Sequence, residues 1–217
     1  MNVFSKDTLT LVLAGGQSRR MGGRAKWQLV LGEHPPKPLL THIVERLSPQ
    51  TSHIVLNGNH PDLATYGLPV ISDVSVDEQH NHFQGPLAGL LTGLLYAEQQ
   101  GIPWLVTCPC DTPFIPMDYI EQLCRTAQSS DMVVNPQCII STYQARIHPI
   151  CGLWSTQLIP NLRDTLRHSD TRSVQQWLRT LEPRVCYADF THSSTAHAFI
   201  NINTPEDWET AQAFARF

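Results

Sequence analysis

Thr8 to Leu13 alternates β-branched and apolar residues, then runs into a loop carrying two glycine pairs, two arginines and a lysine, within LAGGQSRRMGGRAK. Few folds accommodate that junction. The alternation is the signature of a strand, and Gly15, Gly16, Gly22 and Gly23 allow the positive φ angles that a tight exit from a sheet requires. Bare of side chains, their amides can approach an anion closely, and a concavity lined by amides behaves as fixed partial positive charge. Arg19, Arg20 and Lys26 add full charges, which can counter the roughly four negative charges of a nucleoside triphosphate. Glycine pairs alone would suit a plain strand-to-helix turn equally well; the interleaved cations favour the phosphate reading. Spacing excludes two better-known phosphate loops. Lys26 is followed by Trp27 rather than Ser or Thr, and the glycines lack the tight Gly-x-Gly-x-x-Gly step that opens a dinucleotide-binding helix.

Downstream, apolar runs alternate with helical periodicities: strands near 53 to 57, 69 to 72 and 104 to 108, helices near 39 to 47 and 86 to 99. Such alternation predicts a three-layer α/β fold, a mostly parallel twisted sheet of Rossmann-like form with right-handed crossovers and flanking helices. In the helix after Gly85, Leu87, Leu90, Leu91, Leu94 and Leu95 recur at core spacing, while Gly85, Gly89 and Gly93 line a second face suited to close packing. Beyond residue 115 the pattern predicts a helix near 117 to 128, short strands within 131 to 154, helices within 155 to 180, and strands near 184 to 188 and 198 to 202. A last helix starts from Thr204, where Thr204, Pro205, Glu206 and Asp207 combine an N-cap, a first-turn proline and early acids. One domain over 1–217 is expected, with a nucleotide-binding half at 1–115 and a substrate-binding half at 116–217.

The formal net charge of -4 argues against a nucleic-acid protein, because the cations gather near 19 to 26 and 163 to 184. Any polyanion it holds is small. No stretch reaches the roughly 20 apolar residues of a membrane span, and the N-terminus lacks the basic and then apolar run of a secretory signal, so a cytoplasmic protein without membrane contact is expected. There, six cysteines scattered through apolar segments read as reduced, buried thiols. Cys108 and Cys110, separated by one residue and without a matching second pair, lack zinc-site spacing. His80 and His82 lie in a polar stretch and read as part of a solvated loop.

WLVTCPCDTPFIP sets Asp111 just past the carboxyl end of an apolar strand, where ligands of open α/β sheets collect. A single carboxylate can serve magnesium there, since that ion takes one or two carboxylates together with substrate phosphates. An Asx turn through Asp111, Thr112 and Pro113 is the equally good alternative.

LAGGQSRRMGG with its following lysine, GPLAG at 85–89, CPCDTPFIP at 108–116, HP at 148–149 and INTPED at 202–207 occur in this order over nearly the whole chain. In that set the chain resembles the molybdenum cofactor guanylyltransferase family. The first signature is common to many nucleotidyltransferases; CPCDTP with GPLAG and the terminal segment is more specific. The resemblance implies a nucleotidyltransferase fold and an enzyme that moves GMP from GTP to the terminal phosphate of molybdenum-bearing molybdopterin, with Mg2+ as cofactor and pyrophosphate as the second product. It also implies roles for residues. Leu13, Ala14 and Gly15 would hold guanine or ribose through backbone groups, with Gly16, Gly23, Gly85 and Pro86 completing the nucleotide site, and Asn57 and Asp73 would contact the nucleoside. Arg19, Arg20 and Lys26 would neutralise the phosphates, Asp111 would hold the metal, and Arg20, Lys26 and Asp111 would form the catalytic set. Asn201 and Asn203 would sit near the pterin phosphate or the metal, or serve only as cap or turn residues. A monomer that meets other cofactor-assembly proteins transiently is the family expectation.

The chain departs from the family in one place that bears on chemistry. Where the family carries an aspartate just before the signature lysine, this chain has Ala25, which implies a less constrained loop and a working but slower enzyme. GEHPPKPLL is also longer than the family's turn, so no place near a ligand is assigned to Lys37. Two alternatives stay open: a cytidylyltransferase or other nucleotidyltransferase of the same fold, and a nucleotide-binding regulator whose catalysis was weakened with the loss of the acid.

Overall fold

All of Thr8–Leu13 is buried, the mark of a strand covered on both faces rather than an alternating half-exposed one. The computed structural model describes residues 7–15, 25–32, 35–74, 85–129, 136–168 and 173–215. Its strands are β1 (Thr8–Leu13), β2 (Val30–Leu31), β3 (Lys37–Pro38), β4 (Ile54–Asn57), β5 (Val70–Ile71), β6 (Trp104–Pro109), β7 (Cys138–Tyr143), β8 (Arg146–Ser155) and β9 (Val185–Asp189). Its α-helices are α1 (Leu39–Leu47), α2 (Pro86–Gln99), α3 (Tyr119–Ser129), α4 (Ile159–His168), α5 (Val174–Leu181) and α6 (Pro205–Phe214).

Seven strands form one sheet in the order β5-β4-β1-β6-β8-β7-β9. Every pairing is parallel except the two that β8 makes. Side chains alternate across the sheet, as the strand period demands. Val12, Leu56, Val106 and Leu153 pack with α1 and α3 on one face, whereas Leu11, Val55, Leu105 and Trp154 pack with α2, α4 and α5 on the other. The result is the three-layer, mostly parallel, Rossmann-like arrangement that the alternating pattern predicts. The glycine row of α2 serves close approach to the sheet: a Cβ on Gly93 would stand 2.5 Å from Leu11 Cδ2, and one on Gly89 2.6 Å from Leu13 Cδ2.

Thr107 ties the middle of the sheet together. Its hydroxyl accepts from Trp154 Nε1 at 2.8 Å and donates to the Ile150 carbonyl at 2.5 Å, and its carbonyl accepts from the Tyr119 hydroxyl at 2.7 Å. Strands β6 and β8 and helix α3 are thereby joined by polar bonds inside an apolar core, where each bond is expensive to lose.

One expectation needs correction. No strand forms over 198–202; His197 and Phe199 have φ of 58° and 62°, outside the extended region. The apolar pattern there has another cause: Phe199 stacks on His148 and meets Tyr119 and Phe190 edge-to-face, so it marks a turn pressed onto the core. The short ribbon of β2 and β3 was not foreseen, because two-residue strands carry no periodicity. It belongs to a satellite cluster of Leu31, Leu39, Phe114, Ile202 and Ala211, in which Gln212 of α6 accepts from Gly32 N at 3.0 Å and donates to Val30 O at 3.2 Å. Among the described residues, no helix is long and apolar enough to cross a membrane.

Candidate active site

The carboxyl rim of the parallel strands is set by register. Leu13 lies level with Asn57 on one side and Pro109 on the other, and the ladder continues past the strand ends with Ala14 N donating to Asn57 O at 2.8 Å and Cys110 N to Leu13 O at 3.0 Å. Asp111 follows directly. It thus stands beyond β6 at the rim where Asn57 ends β4, two strands and roughly 10 Å away.

Lys26 opens a single 3-10 turn, Lys26–Gln28, and its side chain reaches this rim. Its ammonium donates to Asp111 Oδ2 at 2.7 Å and to Asn203 Oδ1 at 2.5 Å. The Lys26 and Asp111 side chains are 24% and 13% exposed, so this ion pair is only partly screened by water. Asn201 faces the same carboxylate. With its amide nitrogen turned toward Asp111 it donates to Oδ2 at 3.1 Å and to the backbone oxygen at 3.3 Å, and it also meets Oδ1. Ile202 N donates to Asp111 O at 2.9 Å, which holds the 201–203 segment against the loop after β6.

The second part of the site lies between β4, β5 and α2. Asn57 is 2% exposed, and its amide donates to Asp73 Oδ1 at 2.9 Å and to Ile71 O at 3.2 Å. Gly85 is the N-cap of α2 with φ of 134°, a conformation open to glycine; Pro86 follows at the first turn, and no side chain caps the helix there. Pro86 has no amide hydrogen, and the amides of Ala88 and Gly89 donate to Gly85 O at 3.1 and 3.4 Å, so the first turn is closed by backbone rather than by a side chain.

Of the residues singled out in the sequence, the fold gathers Lys26, Asp111, Asn201 and Asn203 into one cluster, and Asn57 with Asp73 into another. Leu13, Ala14 and Gly15 lie at the rim between them, with Leu13 O and Ala14 N already engaged by neighbouring strands. Gly16, Arg19, Arg20 and Gly23 lie outside the described residues, as do Gly22, His80 and His82. Lys37 pairs with Glu45 at 2.6 Å. Among the described residues, no group of three or more His, Cys, Asp or Glu side chains converges as a metal cage. The thiols of Cys108, Cys110 and Cys151 are buried, and burial, with help from Asp111, pushes their pKa values up; they are inert rather than nucleophilic.

Two residues that the sequence offers only as parts of motifs, Asp207 in INTPED and His148 in HP, have contacts that the sequence does not show. Asp207 accepts at one oxygen from both Asn203 N and Thr204 N, each at 2.9 Å; the only signal was the capping box beginning at Thr204. These backbone donors, led by Asn203 N, hold its carboxyl below the usual range, with Lys26 adding to the effect. His148 stacks on Phe199 with ring centroids 4.8 Å apart, and burial, with Arg146 as the lesser cause, lowers its pKa to about 4.

Comparison with known proteins points one way. The MobA-like NTP transferase domain model matches residues 10–185. A molybdenum cofactor guanylyltransferase of Cereibacter sphaeroides is 36% identical over 208 residues, covering 95% of this chain and 96% of the relative. Its counterpart from Vibrio parahaemolyticus is 35% identical, with 93% of each chain covered. The solved molybdopterin-guanine dinucleotide biosynthesis protein A of Archaeoglobus fulgidus superposes with a TM-score of 0.71 over 94% of this chain and 97% of its own; at 22% identity it supports the fold.

Proposed function

This chain belongs to the MobA-like NTP transferase family, with molybdenum cofactor guanylyltransferases among its relatives, and on that premise we propose that it transfers GMP from GTP to the phosphate of molybdenum-bearing molybdopterin, releasing pyrophosphate. The observation that carries this reading is the convergence of Lys26, Asp111 and Asn203 at the carboxyl rim. A nucleotide tail laid across that rim meets a cation and a carboxylate together, as a magnesium-dependent phosphoryl transfer requires.

Asp111 Oδ2 and Asn203 Oδ1 surround one ammonium at 2.7 and 2.5 Å. Both are hard oxygen donors of the sort magnesium accepts, and one carboxylate with substrate phosphates suffices for it. The residues therefore fit the ion, with Asp111 as its protein ligand. When bound there it supplies neutralisation of charge on the phosphate oxygens.

The rest falls to the chain's own groups. Lys26 binds the triphosphate and draws charge from its oxygens during transfer, assisted by Arg19 and Arg20, with Gly16 and Gly23 lending amides. Asn57 and Asp73 hold the nucleoside, with Gly85, Pro86 and the backbone of Leu13, Ala14 and Gly15 around it. Asn201 and Asn203 lie on the acceptor side and orient the pterin phosphate. No general base is needed, since that phosphate is already anionic. Bringing two anions together is the demanding step: unit charges 4 Å apart repel by roughly 4 kcal/mol at an effective dielectric of 20. Lys26, the arginines and a divalent ion answer that repulsion.

The protein acts as a single domain and a monomer in the cytoplasm and meets other cofactor-assembly proteins transiently. Incubation with molybdenum-loaded molybdopterin, labelled GTP and Mg2+ should incorporate label, and Asp111→Ala should abolish incorporation; retained transfer in that variant would remove the metal assignment. Stronger thermal stabilisation by CTP than by GTP would overturn the choice of base.

A further inference from the structure

We infer that Asp207 is a positioning residue for Lys26, acting through Asn203, an inference that rests on the reading of Lys26 as the triphosphate-binding cation. Lys26 lies on a short turn after the glycine loop, and a lysine stem has rotamer freedom that must be lost before the ammonium can serve as a fixed charge. Asp111 and Asn203 hold it from two sides. Asp111 is anchored by the end of β6. Asn203 is exposed and precedes the N-cap of α6, a position whose peptide would otherwise be free to turn.

That peptide is fixed by Asp207. A capping box needs its N3 acid to accept only from the N-cap amide, and here Thr204 N supplies that bond at 2.9 Å. The same oxygen also accepts from Asn203 N at 2.9 Å. Asp207 is in turn seated by its own amide, which donates to Thr204 Oγ1 at 3.2 Å. The second bond does nothing for the helix that the first does not already do. What it fixes is the residue whose side-chain oxygen reaches the Lys26 ammonium. Helix α6 is itself latched to the segment after Lys26 by Gln212, through Gly32 N and Val30 O. Lys26 and its holder are therefore tied to one helix at both ends, and Asp207 is the link nearest the ammonium.

Full-length Asp207→Ala, Asp207→Asn, Lys26→Met and the Asp207→Ala, Lys26→Met double variant are compared for GTP affinity by calorimetry. Asp207→Ala should weaken GTP binding roughly tenfold, the size expected of neighbours in one hydrogen-bonded network. Asp207→Asn keeps an oxygen at the same place and should recover most of that loss. In the Lys26→Met background, Asp207→Ala should cost nothing further. Ser173→Ala, which removes the N-cap of α5 away from the site, controls for stability alone and should leave the affinity unchanged. An equal loss from Asp207→Ala with and without Lys26, or unchanged affinity in Asp207→Ala while Lys26→Met weakens binding, would overturn the inference and leave the role of Lys26 standing. Unchanged affinity in Lys26→Met would remove both.

Discussion

Gly89→Ala tests whether the Asn57–Asp73 part of the site, proposed to hold the nucleoside, is as tightly built as its geometry implies. A Cβ at residue 89 would lie 2.6 Å from Leu13 Cδ2 and 2.7 Å from Asn57 Oδ1. The leucine can give way by a rotamer change. Asn57 cannot do so cheaply: it is 2% exposed, and its amide is committed to Asp73 and Ile71 O. Overpacking of this kind costs about 1–3 kcal/mol, and weakening one buried amide bond adds about 1 kcal/mol. Against that, alanine in a helix interior gains about 1 kcal/mol over glycine. The expected net is a loss of about 1–3 kcal/mol. For a chain of this size that lowers the thermal midpoint by about 3–9 °C, and urea titration should show a lower midpoint at unchanged slope. GTP affinity should fall in parallel because the Asn57–Asp73 bond is displaced. A Gly89→Ala protein as stable as its parent would show that Asn57 has room to move and that this wall of the site is not rigid.

Thr107→Val keeps the shape but removes the hydroxyl that accepts from the Trp154 indole, leaving a buried donor unpaired; a loss of about 1–3 kcal/mol in denaturant unfolding is expected. His148 titrates at about 4 when folded and near 6.5 when unfolded, so between those values the unfolded chain takes up the proton first. Its contribution is therefore fully present above pH 6.5 and lost as pH falls toward 4, and His148→Phe should flatten the stability profile across that window. Ala25 is the N-cap of the Lys26 turn and makes no side-chain cap bond. Ala25→Asp should supply one and leave GMP transfer equal or faster; a large loss in the labelled-GTP assay would show that the loop is organised differently.

Strand β1 and helices α1 and α2 were legible because their signals are local: a two-residue alternation into a glycine pair, and leucines at helical spacing up to a glycine-proline start. The position of Asp111 was legible because an apolar run simply ends before it. Lys26 and Asn203 are 177 residues apart in sequence, and only the return of the chain after β9 brings them together, so no window of sequence could reveal the contact. The region 198–202 misled for a physical reason. Burial of Phe199 and Ile202 imitates a strand, while positive φ at 197 and 199 forbids one. The reversed direction of β8 within the seven-stranded sheet was equally hidden, since periodicity reports a strand but not its direction.

That reversed strand has a consequence for how such a protein could diversify. Because β8 runs against both its neighbours, β7 runs the same way as β6, and the hairpin tip at Gln144 and Ala145 lies at the end of the sheet that carries Asp111. Both tip residues have positive φ, 49° and 60°, as a tight two-residue reversal requires. Extra residues inserted at that tip would grow outward from this end of the sheet while every strand kept its partners. The surroundings of the sheet end that carries Asp111 could therefore change with the length of one hairpin, with the scaffold untouched.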